Sequence, residues 1–166
     1  MAAPAQKARF ALDSSNILID LGEGLPFAHA FLSAYKSKGL AVPPTVVQEL
    51  VFLSQDSSHR ANRFAQIALR NMLSWNIIPY DLISAGHGIT EINAKKLMSK
   101  NLLPEDELHD GLIIIEAALV CIPILVTSDK HLLKINPRDL TQALAEFDLP
   151  AVTIFHPKAL LQYRLQ

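Results

Sequence analysis

Short apolar runs alternate with longer amphipathic segments along the chain. The apolar runs predict strands at residues 9–12, 40–42, 76–80, 124–126 and 151–155. The segments between them predict helices at residues 13–21, 26–38, 45–55, 60–75, 89–100, 104–120, 131–134, 138–147 and 158–163. Strands and helices that alternate in this way are typical of a parallel sheet with helices on both faces. We therefore expect one domain over residues 1–166, a three-layer α/β/α sandwich with a mainly parallel central sheet.

Glycines and the phase of the apolar residues give further local expectations. Gly22 and Gly24 are expected to break the first helix. In the helix at 60–75, the residues expected to face inward are Phe64, Ile67, Ala68 and Leu73. Cys121 is the single cysteine and lies in an apolar run, so we expect it to be buried as a small hydrophobic side chain. A lone cysteine also excludes an internal disulfide and a multi-cysteine zinc site.

Composition and charge narrow the class of protein. Half of the residues are hydrophobic and 19% are charged, which is typical of a globular protein. The net charge of −1 argues against a large basic surface for nucleic acid, but it allows a small basic rim around an acidic pocket. The N-terminal segment lacks a sustained apolar run, and the longest uncharged apolar stretch, 117–126, is about half of a membrane span. We expect a cytoplasmic protein without a membrane segment.

Two acids directly follow predicted strands. Asp13 comes after the strand RFAL, and Asp129 comes after ILVTS. Ligands of open α/β sheets bind beyond the carboxyl ends of the strands, so both residues are candidates for a functional site. Each also has a structural explanation, because an Asp between a strand and a helix is a common N-cap.

Two further acids lie on apolar faces of predicted helices. Glu49 shares its face with Val46, Phe52 and Leu53, and Asp110 shares its face with Ile113, Ile114, Ala117 and Cys121. Carboxylates are rarely buried without a partner, since removing the charge from water is costly. A salt bridge could satisfy each one separately. A shared divalent cation would satisfy both, and Mg²⁺ and Mn²⁺ prefer oxygen ligands.

Several segments, taken in order, resemble the motifs of PIN domains. ALDSSNILIDL resembles the first strand and first acidic motif of that family, and VPPTVVQEL resembles the second motif. LHDGLIIIEAAL and IPILVTSDKHLL resemble the third and fourth motifs, and AVTIFHPKALLQ resembles the closing strand and helix. The similarity covers nearly the whole chain, with residues 84–103 the least similar stretch. The sequence departs from the family at Gly111, where many relatives carry Ala.

The resemblance implies a PIN-like ribonuclease, similar to VapC-type toxins. Such an enzyme is a divalent-metal-dependent hydrolase that cuts RNA phosphodiester bonds, and it can be the toxin of a toxin–antitoxin pair. The expected partners are RNA, an antitoxin protein and a second copy of the chain, and the expected cofactor is Mg²⁺ or Mn²⁺. The residues that would bind the metal and carry the catalysis are Asp13, Glu49, Asp110 and Asp129.

Three more residues are candidates for supporting roles at that site. Thr127 matches a hydroxyl position close to the acids in the family, and Ser15 is a similar candidate that also fits the start of a helix. Glu107 lies one turn before Asp110 and could be a fifth acid. Asp106 competes with Glu107, and both fit the negative charge that a helix N-terminus favours.

The basic and histidine residues leave two interpretations open. Arg63 and Arg70 share a helix face, and Lys95 and Lys96 lie in a basic segment with Lys100. These side chains could contact RNA phosphates beside the pocket, or they could form an ordinary solvated surface. The histidines lack the spacing of a zinc site, and we expect surface or packing roles for them. His109 is expected to point away from its neighbour Asp110 because adjacent helix residues diverge.

Two other classes of protein compete with the nuclease. A catalytically inactive PIN-like domain could serve as an RNA-binding or protein-interaction module, but the presence of all four acids favours the enzyme. A phosphotransfer receiver domain fits less well. It needs an acidic pair after its first strand and a phosphoacceptor Asp at the end of a central strand, whereas the strand at 76–80 leads only to Asp81.

Overall fold

Strands and helices alternate along the chain in a computed structural model that describes residues 8–13 and 17–164. The strands are β1 (Phe10–Leu12), β2 (Leu40–Val42), β3 (Ile77–Pro79), β4 (Ile124–Val126) and β5 (Thr153–Phe155). The helices are α1 (Ile19–Glu23), α2 (Pro26–Tyr35), α3 (Pro44–Gln55), α4 (Asn62–Asn71), α5 (Ser84–Ser99), α6 (Leu108–Leu119), α7 (Lys130–Leu133), α8 (Pro137–Glu146) and α9 (Pro157–Arg164). Within the described ranges, no helix is both long and apolar enough to cross a membrane.

The five strands form one sheet in the order β3-β2-β1-β4-β5, and every adjacent pair is parallel. Every residue of β1 and β2 is buried, as expected of strands that are covered on both faces. The predicted α/β/α sandwich is therefore confirmed, with a sheet that is parallel at each of its pairings.

The order in which the chain adds strands to the sheet reverses at β1, in the middle of the sheet. From β1 the chain passes to β2 on one side, whereas β4 pairs with the other side of β1. Such a point opens a crevice at the carboxyl ends of the two central strands. The register pairs Leu12 with Val126, so the residues that follow these two strands emerge side by side.

Several helices begin or end away from the predicted positions, α5 among them. α5 begins at Ser84, five residues before the predicted start, although Gly86 and Gly88 weaken its helical propensity. Packing of α5 against α6 outweighs that local preference. Gly111 of α6 lies at this contact, where an added Cβ would stand 3.3 Å from the Cβ of Ala94. The close approach of α5 leaves little room for a side chain at position 111.

Two buried positions predicted from the sequence are wrong. Leu73 is 68% exposed because α4 ends at Asn71 and the residue lies in the turn beyond it. Cys121 is exposed as well. It follows the end of α6 and adopts a left-handed conformation with φ of 59°, which turns the chain before Pro123 and takes the side chain out of the apolar face.

Gly22 does not break the first helix, which continues to Glu23 and ends at Gly24 with φ of 84°. Gly22 is instead the point where α1 approaches α4. A Cβ added there would lie 2.2 Å from the carbonyl oxygen of Phe64, far inside contact distance. The absence of a side chain at Gly22 therefore permits this helix contact.

We predict that Gly22→Ala lowers the free energy of unfolding, measured by denaturant titration, by about 1–3 kcal/mol because the backbone of α4 must move. Gly88→Ala is the matched control, since Gly88 lies within α5 with nothing near its Cβ direction. That change should stabilise the protein by about 0.5–1 kcal/mol. A Gly22→Ala variant as stable as the wild type would contradict the close approach of α1 and α4.

Candidate functional site

The carboxyl ends of β1 and β4 bring Asp13 and Thr127 into direct contact. Asp13 is buried, and its backbone N–H donates to the carbonyl oxygen of Val126 at 3.0 Å, which extends the strand pairing by one residue. The Thr127 hydroxyl donates to Oδ2 of Asp13 at 2.7 Å. The predicted hydroxyl thus holds the first acid in place.

Asp129 is fixed by the start of α7. Its Oδ1 accepts from the backbone N–H groups of His131 and Leu132 at 2.7 and 3.4 Å, and its own N–H donates to Oγ1 of Thr127 at 2.9 Å. The N-cap interpretation of Asp129 therefore describes its contacts correctly. It does not exclude a functional role, because a capping carboxylate still presents a negative charge to the crevice.

The other two acids come from helices that pack against each other, α3 and α6. Asp110 lies in the first turn of α6 and is only 8% exposed. Glu49 lies on α3, and its Oε1 is 3.4 Å from Nδ1 of His109. The His109 side chain is 67% exposed, which agrees with the expected surface position, but the residue lines the same cavity as Asp110 and lies next to Glu49.

The acids surround one open cavity of about 360 Å³. Its lining residues are Asp13, Glu49, Asp106, Glu107, Leu108, His109, Asp110 and Asp129. All four acids predicted from the motifs are in this set, together with both competing candidates, Asp106 and Glu107. Glu107 is the N-cap residue of α6, where the helix dipole favours a negative charge, but its side chain makes no capping hydrogen bond. Its Oε1 lies 3.9 Å from Nε2 of His131.

Burial and the crowding of these acids both act on Asp110. Burial, and after it the charges of Asp129, Asp13, Glu107 and Glu49, together raise the pKa of Asp110 to about 8. Its Oδ2 is buried without a hydrogen-bond partner. A buried carboxylate oxygen that accepts no hydrogen bond is costly, and a cation would remove that cost.

The donor set suits a hard divalent cation, since it consists of carboxylate oxygens around a cavity with room for water. Among residues 8–13 and 17–164, however, no three His, Cys, Asp or Glu side chains are already close enough together to hold a metal ion. Mutual repulsion keeps unneutralised carboxylates apart. Binding of a cation would therefore have to draw them inward by side-chain rotation.

The remaining predicted residues lie elsewhere. Ser15 is outside the described residues. Arg63 and Arg70 are exposed on α4, and neither lines the acidic cavity. Lys95 pairs with Glu91 at 2.8 Å, and Lys96 lies 5.7 Å from the ring centre of Phe147. No Lys or Arg of the described chain lines the cavity, so any phosphate contacts from these side chains would lie outside it.

One buried acid is not among the residues expected at the site. Helical phase turns Glu116 of α6 away from the acidic motifs, and Glu116 does not line their cavity. It is nevertheless only 2% exposed, and its carboxylate accepts hydrogen bonds from Thr45. The signal in the sequence was the pair Pro43–Pro44, which leaves the start of α3 without a capping side chain of its own.

We predict that Asp110→Asn flattens the pH dependence of stability in EDTA. Asp110 in the folded protein holds its proton to about pH 8, whereas an unfolded Asp releases it near pH 4. A raised folded pKa contributes stability that is lost as the pH rises between these two values. The wild type should therefore lose more free energy of unfolding than the variant between about pH 5 and pH 8.

The same pair of proteins tests Asp110 as a metal ligand. At pH 8, Asp110→Asn should raise the melting temperature in EDTA and reduce the stabilisation that added Mn²⁺ produces. Burial also raises the pKa of Glu116, to about 7, but Glu116 is present in both proteins and its contribution cancels. An undiminished response to Mn²⁺ in the variant would exclude Asp110 from the ligand set.

The fold is similar to that of a chain in a solved structure. The likeness is to a chain of the crystal structure of VapBC2 from Rickettsia felis bound to a DNA fragment from its promoter. It covers 89% of this chain and 98% of that chain, with a TM-score of 0.57 and 16% sequence identity. No protein-family model and no curated protein matches the sequence. At this identity the likeness concerns the fold, and it agrees with the PIN-like sandwich expected from the sequence.

Proposed function

We propose that the protein is a divalent-metal-dependent endoribonuclease that uses Mg²⁺ or Mn²⁺. The observation that carries this proposal is Asp110, whose buried Oδ2 has no hydrogen-bond partner. Asp110 lines a cavity that Asp13, Glu49 and Asp129 also line. Oxygen ligands with several negative charges are the donors that these two cations prefer. The four acids are accordingly our candidates for both metal binding and catalysis.

A cation bound in this way lowers the pKa of a water molecule and stabilises negative charge on the leaving oxygen of a phosphodiester. The side chains and amides of the protein would position the carboxylates that hold the cation. Thr127 orients Asp13, and the first amides of α7 orient Asp129, so two carboxylates are held before any ligand arrives. Asp110 would have to release its proton to hold the cation, because a carboxylate must be ionised to serve as a ligand.

RNA would have to be held outside the cavity, since six carboxyl groups around it repel phosphate. Arg63 and Arg70 are exposed on α4 and are candidates for this role. Lys95 and Lys96 are weaker candidates because Lys95 is paired with Glu91 and Lys96 lies against Phe147. Such contacts position a nucleic acid without reading its sequence.

The proposal extends to a toxin–antitoxin role. The structure with the similar fold is VapBC2, a complex bound to promoter DNA, and the likeness spans almost all of the matching chain. Together with the acidic motifs, this supports an antitoxin protein as partner and a homodimer as the assembly. The choice of RNA as substrate rests on the resemblance of the motifs to those of PIN ribonucleases.

We predict that Asp13→Asn and Asp129→Asn each abolish RNA cleavage in Mn²⁺ while leaving RNA binding intact. Losing the bound cation should cost several kcal/mol of barrier, on the order of a thousandfold in rate or more. Cleavage of labelled single-stranded RNA measures the rate, and fluorescence anisotropy in EDTA measures binding. Asp148→Asn is the matched control, since Asp148 is exposed, does not line the cavity, and has a φ of 57° that Asn tolerates.

The assay needs protein that is free of contaminating ribonucleases, because these enzymes work in EDTA and imitate activity. Activity that requires added metal and disappears in both Asn variants supports the nuclease. Wild-type protein that binds RNA but cleaves none with Mg²⁺ or Mn²⁺, after removal of any inhibitory partner, would show that the domain is an RNA-binding module instead.

Phosphate contacts by α4 can be tested separately in the Asp13→Asn background, where RNA stays intact. Replacing Arg63 and Arg70 with Gln should reduce the slope of log affinity against log salt by about 1.4, since each phosphate contact on a single strand contributes about 0.7. Arg138→Gln on the exposed start of α8 is the control and should leave the slope unchanged. An unaltered slope in the double variant would remove both arginines from the RNA surface.

A further inference from the structure

A second buried carboxylate joins α6 to the N-terminus of α3. Oε1 of Glu116 accepts a hydrogen bond from the backbone N–H of Thr45 at 3.0 Å, and Oε2 accepts one from the Thr45 hydroxyl at 3.0 Å. Glu116 is 2% exposed, and Thr45 is buried as well. Because both carboxylate oxygens are hydrogen-bonded, this acid can remain in the interior.

The start of α3 has a particular need for such a partner. Pro43 is the N-cap residue and Pro44 opens the helix, and neither has a backbone N–H or a side chain that can cap. The N–H of Thr45 is therefore the first backbone donor of the helix, at the end where the helix dipole favours negative charge. The cap comes from a different helix, so it also ties α3 to α6.

The contact of Thr45 with Glu116 lies between the same two helices, α3 and α6, that carry Glu49 and Asp110 of the candidate metal site. Glu49 follows Thr45 by four residues and therefore shares its face of α3. On α6, Asp110 precedes Glu116 by six residues. The two helices thus meet at a buried contact, Thr45 with Glu116, and at a partly exposed one, Glu49 with His109. The buried contact is the one that water cannot replace easily.

We propose that Glu116 is a positioning residue for the metal site: by holding the first turns of α3 against α6, it sets where the Glu49 carboxylate stands relative to that of Asp110. This inference rests on the proposed metal-dependent function, but the residue it concerns does not line the acidic cavity. It assigns no contact with metal or RNA to Glu116 itself.

The surroundings of Glu116 suggest a conservative replacement. Burial raises the pKa of Glu116, the Thr45 hydrogen bonds and His87 lower it, and Asp81 raises it, which together leave the pKa at about 7. Near neutral pH the side chain is therefore close to the balance between acid and carboxylate. A Gln amide has nearly the same shape as the neutral acid, and its oxygen can still accept from the N–H of Thr45. Glu116→Gln should therefore keep the contact.

The test compares Mn²⁺ affinity, measured by isothermal titration calorimetry on the full chain. Glu116→Leu fills the space without an acceptor and should weaken Mn²⁺ binding by about 10- to 100-fold, the usual effect of losing a group that orients a ligand. Glu116→Gln should restore most of the affinity. Tyr35→Phe is the control, because it removes the buried hydrogen bond from Tyr35 to the carbonyl oxygen of Leu160, between α2 and α9. It should lower the melting temperature and leave Mn²⁺ affinity unchanged.

Each result decides the proposal. A folded Glu116→Leu variant that binds Mn²⁺ as tightly as the wild type contradicts the positioning role and leaves the metal site standing. A wild type without measurable Mn²⁺ affinity overturns the metal site and this role with it. If Glu116→Leu does not fold, Thr45→Val decides, since it removes only the hydroxyl contact: a smaller loss of affinity supports the role, and no loss contradicts it.

Discussion

The parallel pairing of β1 with β4 is the constraint on which the candidate site depends. Its register sets Leu12 opposite Val126, so that Asp13 and Thr127 leave the sheet as neighbours and form a hydrogen bond. Asp129 follows two residues later and is held by the same threonine and by the start of α7. A shift of one residue in this register would turn these side chains to the opposite faces of the sheet.

The packing of α3 and α6 brings two more carboxylates to the site despite the electrostatic repulsion among the acids. α3 and α6 bring Glu49 and Asp110 to the acids at the strand ends, and the cost appears as a raised pKa and an unsatisfied oxygen at Asp110. Such strain is typical of a site that is complete only with its ligand. The fold thus holds several carboxylates close together at one edge of the sheet, and a divalent cation would lower the free energy of this arrangement.

The sequence predicts the parts of the molecule that depend on local pattern. The strands follow from the apolar runs. The gathering of Asp13, Glu49, Asp110 and Asp129 around one cavity was expected from the resemblance of the acidic motifs to those of PIN domains. Properties that depend on packing between helices were not predictable in this way. Helical phase shows that Glu116 points away from the motifs, but not that the start of α3 lies there to receive it. The exposure of Leu73 and the placement of the basic residues away from the cavity likewise depend on where helices end and pack.

The central claim is that the carboxylates of Asp13, Glu49, Asp110 and Asp129 together bind a divalent cation. Anomalous X-ray diffraction from crystals grown with Mn²⁺ tests this claim most directly. The account predicts an anomalous peak inside the acidic cavity, with oxygen atoms of Asp13, Asp110 and Asp129, and of Glu49 directly or through water, around it. Ligand distances should be about 2.0–2.2 Å, close to those of Mg²⁺. A well-ordered cavity without a peak at saturating Mn²⁺, or a peak only at other residues, would contradict the account.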